Sequence, residues 1–122
     1  MARVSNRPVS ASTLASVASR AAEALRTAAD AWDAYDPTTS APCETAPYVT
    51  LIGDALAAID VFMAALASRS FLDAPYPEMM NHWTAITLNR VDTGQIRSAA
   101  ESCDAWSKRY LADATQLGHG VA

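Results

Sequence analysis

A chain of 122 residues is the size of one domain, and it carries a net charge of −4 with Lys108 as its only lysine. That balance leaves no basic stripe able to neutralise a run of phosphates, so nucleic acid is a disfavoured partner. Alanine supplies much of the 51% hydrophobic content, and Leu, Ile, Val and Phe make up only 22 residues; the small net charge, three Trp and four Tyr still exclude a solvated, disordered tail.

Residues 1–9 are expected to be a flexible polar segment, mildly basic through Arg3 and Arg7. The stretch from Met1 to Ala11 lacks the continuous apolar run of a secretory signal. Cys43 and Cys103 form no CxxC pair and no disulfide framework, so a cytoplasmic chain with reduced thiols is expected.

The first helix is predicted over 10–35. Leu14, Ala18, Ala21, Leu25, Ala28, Trp32 and Tyr35 recur in steps of 4, 3, 4, 3, 4 and 3, which puts them on one face of a helix. Ser16, Ser19, Glu23, Arg26, Asp30 and Asp33 fill the opposite face, with Arg26 and Asp30 spaced for an i,i+4 ion pair. Ser10 or Ser12 is the expected N-cap. Asp36-Pro37 ends this helix, and Pro37 to Pro47 reads as a long loop.

The second helix is predicted over 47–68. Val49, Ile52, Leu56, Ile59, Met63 and Leu66 form one seam, and Tyr48, Leu51, Ala55, Ala58, Phe62 and Ala65 form another. Two seams covering about 200° of the wheel predict contacts on two sides and a central place in the bundle. What remains is a strip of Thr50, Gly53, Asp54, Ala57, Asp60, Val61 and Ala64. The run from Tyr48 to Ala67 is long and apolar, but each aspartate at mid-bilayer costs roughly 2.5–3.5 kcal/mol, so Asp54 and Asp60 disfavour a membrane span.

Pro75 and Pro77 punctuate the next connection. Pro77 suits the first turn of a third helix over 77–91, with Met79, Trp83 and Ile86 inward and Met80, Thr87 and Val91 to one side. Asp92 with Gln95 resembles a fresh helix start, against the alternative of one kinked helix through Gly94. The fourth helix, over 93–117, carries Ile96, Ala99, Cys103, Trp106 and Tyr110, flanked by Ala100, Leu111 and Leu117. Arg97–Glu101, Asp104–Lys108 and Arg109–Asp113 have the spacing of exposed intrahelical pairs. Gly118 sits where a terminating glycine belongs, leaving 118–122 as a flexible tail. The expected fold is thus all-α, a compact bundle of about four helices over 10–117, with helix two central.

No catalytic constellation emerges. Glu78 and His82 share a helix face, but a zinc site needs three or four ligands and the only other histidine is His119. Met79, Met80 and Cys103 are the soft ligands for copper(I), yet adjacent methionines point apart. Histidine phosphotransfer domains carry Lys-Gly after their histidine, where this chain has Ala85-Ile86. Ferritin-like Glu-x-x-His pairs, the Glu clusters of helical pyrophosphohydrolases, the turn of WxG hairpin proteins and Gly-rich phosphate loops are all missing. No metal or cofactor is therefore expected, and His82 reads as a boundary histidine beside Glu78.

Two functional readings follow. The first is a non-enzymatic protein acting through protein–protein contact, as an adaptor, inhibitor or regulator, with self-association included. Its face would be Gly53, Ala57, Asp60 and Ala64, or the Pro37–Pro47 loop. The second is a small-molecule- or metal-binding bundle, in which Trp32, Trp83 and Trp106 border a pocket with His82 and Asp54.

Overall fold

The computed structural model describes residues 9–34, 46–69 and 74–121. These form four helices: α1 Ala11–Ala34, α2 Ala46–Ala67, α3 Pro75–Leu88 and α4 Thr93–Val121. The described residues make an all-α four-helix bundle.

Contacts at the helix ends give the topology. The Val9 amide donates to Ser68 Oγ at 3.1 Å, and the Trp32 and Tyr48 rings lie 4.9 Å apart, so α1 and α2 run antiparallel. The Tyr48 hydroxyl donates to the Arg90 carbonyl, which sets the start of α2 beside the end of α3. Met79 and Cys103 meet across α3 and α4, whose connection spans only 89–92. Arg97, near the start of α4, reaches Asp30 and Asp33 at the end of α1. The helices therefore alternate in direction around a ring, each packed on two neighbours.

The ring corrects the central position expected for the second helix. The most extensive packing is α1 against α4, because α1 carries two alanine-rich stripes rather than one. Leu14, Ala18, Ala21, Leu25 and Ala28 are wholly buried, and Ala11, Ala15, Ala22 and Ala29 add a second buried row. Small side chains let these axes approach closely. α2 leaves part of its apolar surface outside: Val49, assigned to a seam by periodicity, is 60% exposed at the helix's first turns. Ile52, Ile59 and Phe62 are fully buried, so α2 contributes the larger side chains that fill the ring's centre.

Local signals explain most boundaries. Ser10 caps α1, its Oγ accepting the Thr13 amide at 3.2 Å, while Ser12 lies inside the helix. Asp92 caps α4, accepting the Gln95 amide at 3.1 Å, so α3 and α4 are separate helices. α3 starts at Pro75, two residues earlier than expected, since prolines are tolerated where a helix amide has no partner. It ends at Leu88 because Asn89 is extended. α4 continues through Gly118 to Val121; no described glycine adopts positive φ, the geometry a terminating glycine requires. The expected Pro37–Pro47 loop, Tyr35 and Cys43 lie outside the described residues, except that 46 and 47 belong to α2.

The ion pairs run between helices rather than along them. Arg26 pairs with Asp104, and Arg97 pairs with Asp30 at 2.9 Å and Asp33 at 2.5 Å. These replace the Arg26–Asp30, Arg97–Glu101 and Asp104–Lys108 pairings predicted from spacing. Packing turns the outer edges of α1 and α4 toward each other, and a carboxylate on the next helix then competes with one a turn away. Each such exposed pair contributes on the order of 0.2–1 kcal/mol. Beneath them Ser107, a buried polar residue, donates its hydroxyl to the Ala15 carbonyl at 2.8 Å.

Candidate functional site

The α2 strip faces outward. Thr50, Gly53, Asp54, Ala57, Asp60, Val61 and Ala64 are all exposed, and together they form the outer face of the helix. The face is apolar and small along its midline, with an aspartate on each edge. Val61, at 55% exposed, extends it toward α1, and Val49 toward α3. Along the α1 side Val17, Arg20, Ala58 and Val61 line a shallow groove of about 160 Å³. Gly53 lies in mid-helix, and a Cβ placed on it would meet no atom within 4 Å. By contrast, the exposed positions of α1 are Ser, Thr, Arg, Glu, Asp and the terminal Ala34.

The tryptophans do not converge. Trp32 packs on Tyr48, where α1 ends and α2 begins. Trp106 lies toward the opposite end, donating from Nε1 to Glu78 Oε2 at 3.2 Å in the first turns of α3. Trp83 is half-buried in the middle of α3. Its Nε1 and the Thr87 hydroxyl, one turn further on, are buried without a hydrogen-bond partner among the described residues. Asp54 is on the outside of α2, and His82 is half-buried on α3. The pocket expected from Trp32, Trp83, Trp106, His82 and Asp54 is therefore not assembled: Trp32 and Trp106 sit toward opposite ends of the bundle, and Asp54 faces away from it.

Glu78 is the hub of the α3–α4 contact. Its carboxylate accepts from the Ser102 hydroxyl as well as from Trp106. Burial lowers the His82 pKa below its ordinary 6.5, and the Glu78 charge offsets part of that effect. Cys103 is fully buried, with Sγ 3.6 Å from Met79 Sδ. Burial, with Glu78 and Asp104 nearby, pushes its thiol up to about 12, so it behaves as a small hydrophobe. Among the described residues no three His, Cys, Asp or Glu side chains cluster closely enough to hold a metal ion.

A cleft of about 360 Å³ opens where α2 ends, α3 begins and α4 passes. Leu66, Pro75, Trp106 and Tyr110 supply apolar walls, and Arg69, Arg109 and Asp113 supply charge. The Arg109 guanidinium stands over the Trp106 ring at 5.0 Å, rather than in the predicted pair with Asp113. Leu66, Trp106 and Tyr110 lie on the stripes that periodicity picks out, but of the residues expected to border a pocket only Trp106 lines this cleft. Arg109 carried only the spacing of a pair with Asp113, and Arg69 and Arg20 no sequence signal beyond charge; the place of Arg20 beside the α2 strip depends on tertiary packing.

By length and composition α2 over Tyr48–Ala67 would suffice to cross a membrane; in the bundle its inner arc is covered by the other helices. Comparison with protein-family models, with curated proteins and with solved structures finds no match.

Proposed function

We propose that this protein is a non-enzymatic interaction module that engages a protein partner through the outer face of α2. One observation carries the reading: this face presents Gly53, Ala57, Val61 and Ala64 to solvent, in a bundle whose first helix is otherwise covered with polar and charged groups. Exposed apolar surface is common when scattered singly. Here it is contiguous along a helix and rimmed by Asp54, Asp60 and Arg20, the pattern of a contact surface with an apolar centre and a polar edge.

A benzophenone amino acid at position 50, on this face, tests the reading in the native host. The expected result is a discrete adduct of higher mass that disappears when Ala57→Arg is added to the same chain. The same probe at position 108, on α4, should give none. Equal labelling at both positions, or none at position 50, overturns the proposal.

A second reading attaches to the cleft beside Trp106. Arg69 and Arg109 line it against one carboxylate, Asp113, with Trp106 and Tyr110 as aromatic walls, a balance that suits a small anion with an apolar part. It predicts thermal stabilisation by an aryl carboxylate or aryl phosphate, lost on Arg69→Ala. No shift with either class removes this reading.

A further inference from the structure

We infer that the partner covering the outer face of α2 is a second copy of the chain, packed antiparallel about a two-fold axis at Ala57. This rests on the reading of that face as an interaction surface and adds the occupant and its geometry. Two independent observations support it.

The first is Gly53. Glycine in mid-helix weakens the helix relative to alanine. Within the bundle nothing explains it: φ is not positive, and a Cβ would meet no atom within 4 Å. Another backbone approaching from outside does explain it. With the axis at Ala57, Gly53 of one copy comes level with position 61 of the other, and Thr50 comes level with Ala64. Position 61 is valine, and the absent Gly53 Cβ leaves room for it; Thr50, Ala57 and Ala64 keep the rest of the midline small, which allows close approach of the two helices.

The second is the placement of charge. Val17 and Arg20 of α1 line the groove beside Ala58 and Val61, so Arg20 stands at the level of 58–61. Asp54 precedes Ala58 by four residues and Val61 by seven, which puts it on the same side of α2. A two-fold perpendicular to α2 keeps the α1-side edges of the two copies together. It brings Asp54 of the second copy level with Asp60 of the first, which lies on the opposite edge of the strip, away from α1. That level is about 3 Å along the axis from Ala58, which stands opposite Arg20. Both side chains lean toward the N-terminus of their own helix; α1 and the second copy's α2 are each antiparallel to the first copy's α2, so they run parallel and the two side chains lean in the same direction. The symmetry then generates two Arg20–Asp54 pairs flanking an apolar centre. Among the described residues Arg20 has no ion pair within one copy, so the contact gives it an opposite charge.

Three measurements on the full chain test this. Sedimentation velocity of the wild type should show a concentration-dependent monomer–dimer equilibrium. Arg20→Asp and Asp54→Arg should each weaken it about tenfold or more, and the double swap should restore it to within about threefold. In a Cys43→Ser background, Ala57→Cys should oxidise to a covalent dimer, because a residue on the axis faces its own copy within the 4.4–6.8 Å Cα separation of a disulfide. Lys108→Cys should not. A wild type that stays monomeric at every concentration overturns the dimer. So does equal cross-linking at positions 57 and 108, or a double swap without rescue in variants whose circular dichroism matches wild type. If the chain is monomeric yet the position-50 probe yields a heterologous adduct, the two-fold fails while the interaction surface stands; no adduct of any kind removes both.

Discussion

Alanine occupies two opposed settings in this bundle, and one substitution made in both distinguishes them. Ala22 is wholly buried on the α4 side of α1, between Ala15, whose carbonyl holds Ser107, and Arg26, which pairs with Asp104. Ala57 is exposed at the centre of the outer face of α2. Leucine adds three carbons at either site with little change in helix propensity. If room existed at Ala22, burying them would add about 2.4 kcal/mol, at roughly 0.8 per carbon. The α1–α4 seam has no such room, since closely packed alanines set its width. Accommodating leucine must spread the helices and stretch the Ser107 bond. The expected result is a net loss of about 1–3 kcal/mol. A loss of about 2 kcal/mol in a domain of this length lowers the melting temperature by roughly 8 °C. Ala57→Leu, measured at concentrations where the chain is monomeric, should stay within about 0.5 kcal/mol of wild type. Urea denaturation followed by circular dichroism reads both. Ala22→Leu as stable as wild type, or equal effects at the two sites, would refute the account of a tight alanine seam.

Other outcomes follow from the same contacts. The His82 imidazole should titrate by NMR below the ordinary 6.5, and Glu78→Gln should move it lower still, because the Glu78 charge favours the imidazolium. With the folded pKa depressed, the unfolded chain takes up the proton first. His82's contribution to stability is therefore present above about pH 6.5 and is lost as pH falls from there through the folded pKa; a His82→Gln variant should show a flatter profile in that window. In a Cys43→Ser background, the Cys103 thiol should stay unreactive toward a disulfide reagent at pH 8 until denaturant unfolds the chain. Reaction at native rates comparable to free cysteine would contradict its burial. Tyr48→Phe should cost about 1 kcal/mol by removing the hydroxyl that donates to the Arg90 carbonyl, and an unchanged denaturation midpoint would contradict that contact.

Periodicity read well where one face of a helix meets the core. Five of the seven members of the α1 stripe are fully buried, and the strip left over from the α2 seams is the exposed face. The outer face was legible by subtraction, since a residue on neither seam has nowhere to go but outward. What periodicity lacks is axial level and the identity of the neighbour. Trp32 and Trp106 both point inward, yet they sit toward opposite ends of antiparallel helices, so a shared pocket was not a consequence of their facing. Arg26 and Arg97 take partners on another helix because packing brought a carboxylate to them. Two apolar seams suggested a central α2, and it does meet a neighbour on each side, but in a ring the helix with the narrowest side chains packs most closely.

The α1–α4 seam also sets an order of events for the folding chain. Its polar ties join residues 64 to 92 positions apart, Arg97 with Asp33 at one limit and Ser107 with Ala15 at the other. During synthesis the first helix therefore emerges long before its principal partner, and closing that long loop is an entropic cost met only when the fourth helix arrives. Until then the alanine rows of α1 have only α2 to lie against. The first and last helices are antiparallel, so the start of α1 and the end of α4 lie at the same end of the molecule. A circular permutant that links them and opens between Asn89 and Asp92 would place α4 immediately before α1 in the chain. The largest interface of the bundle would then become a local one, and the permutant should fold faster than the natural order while keeping the same native ring.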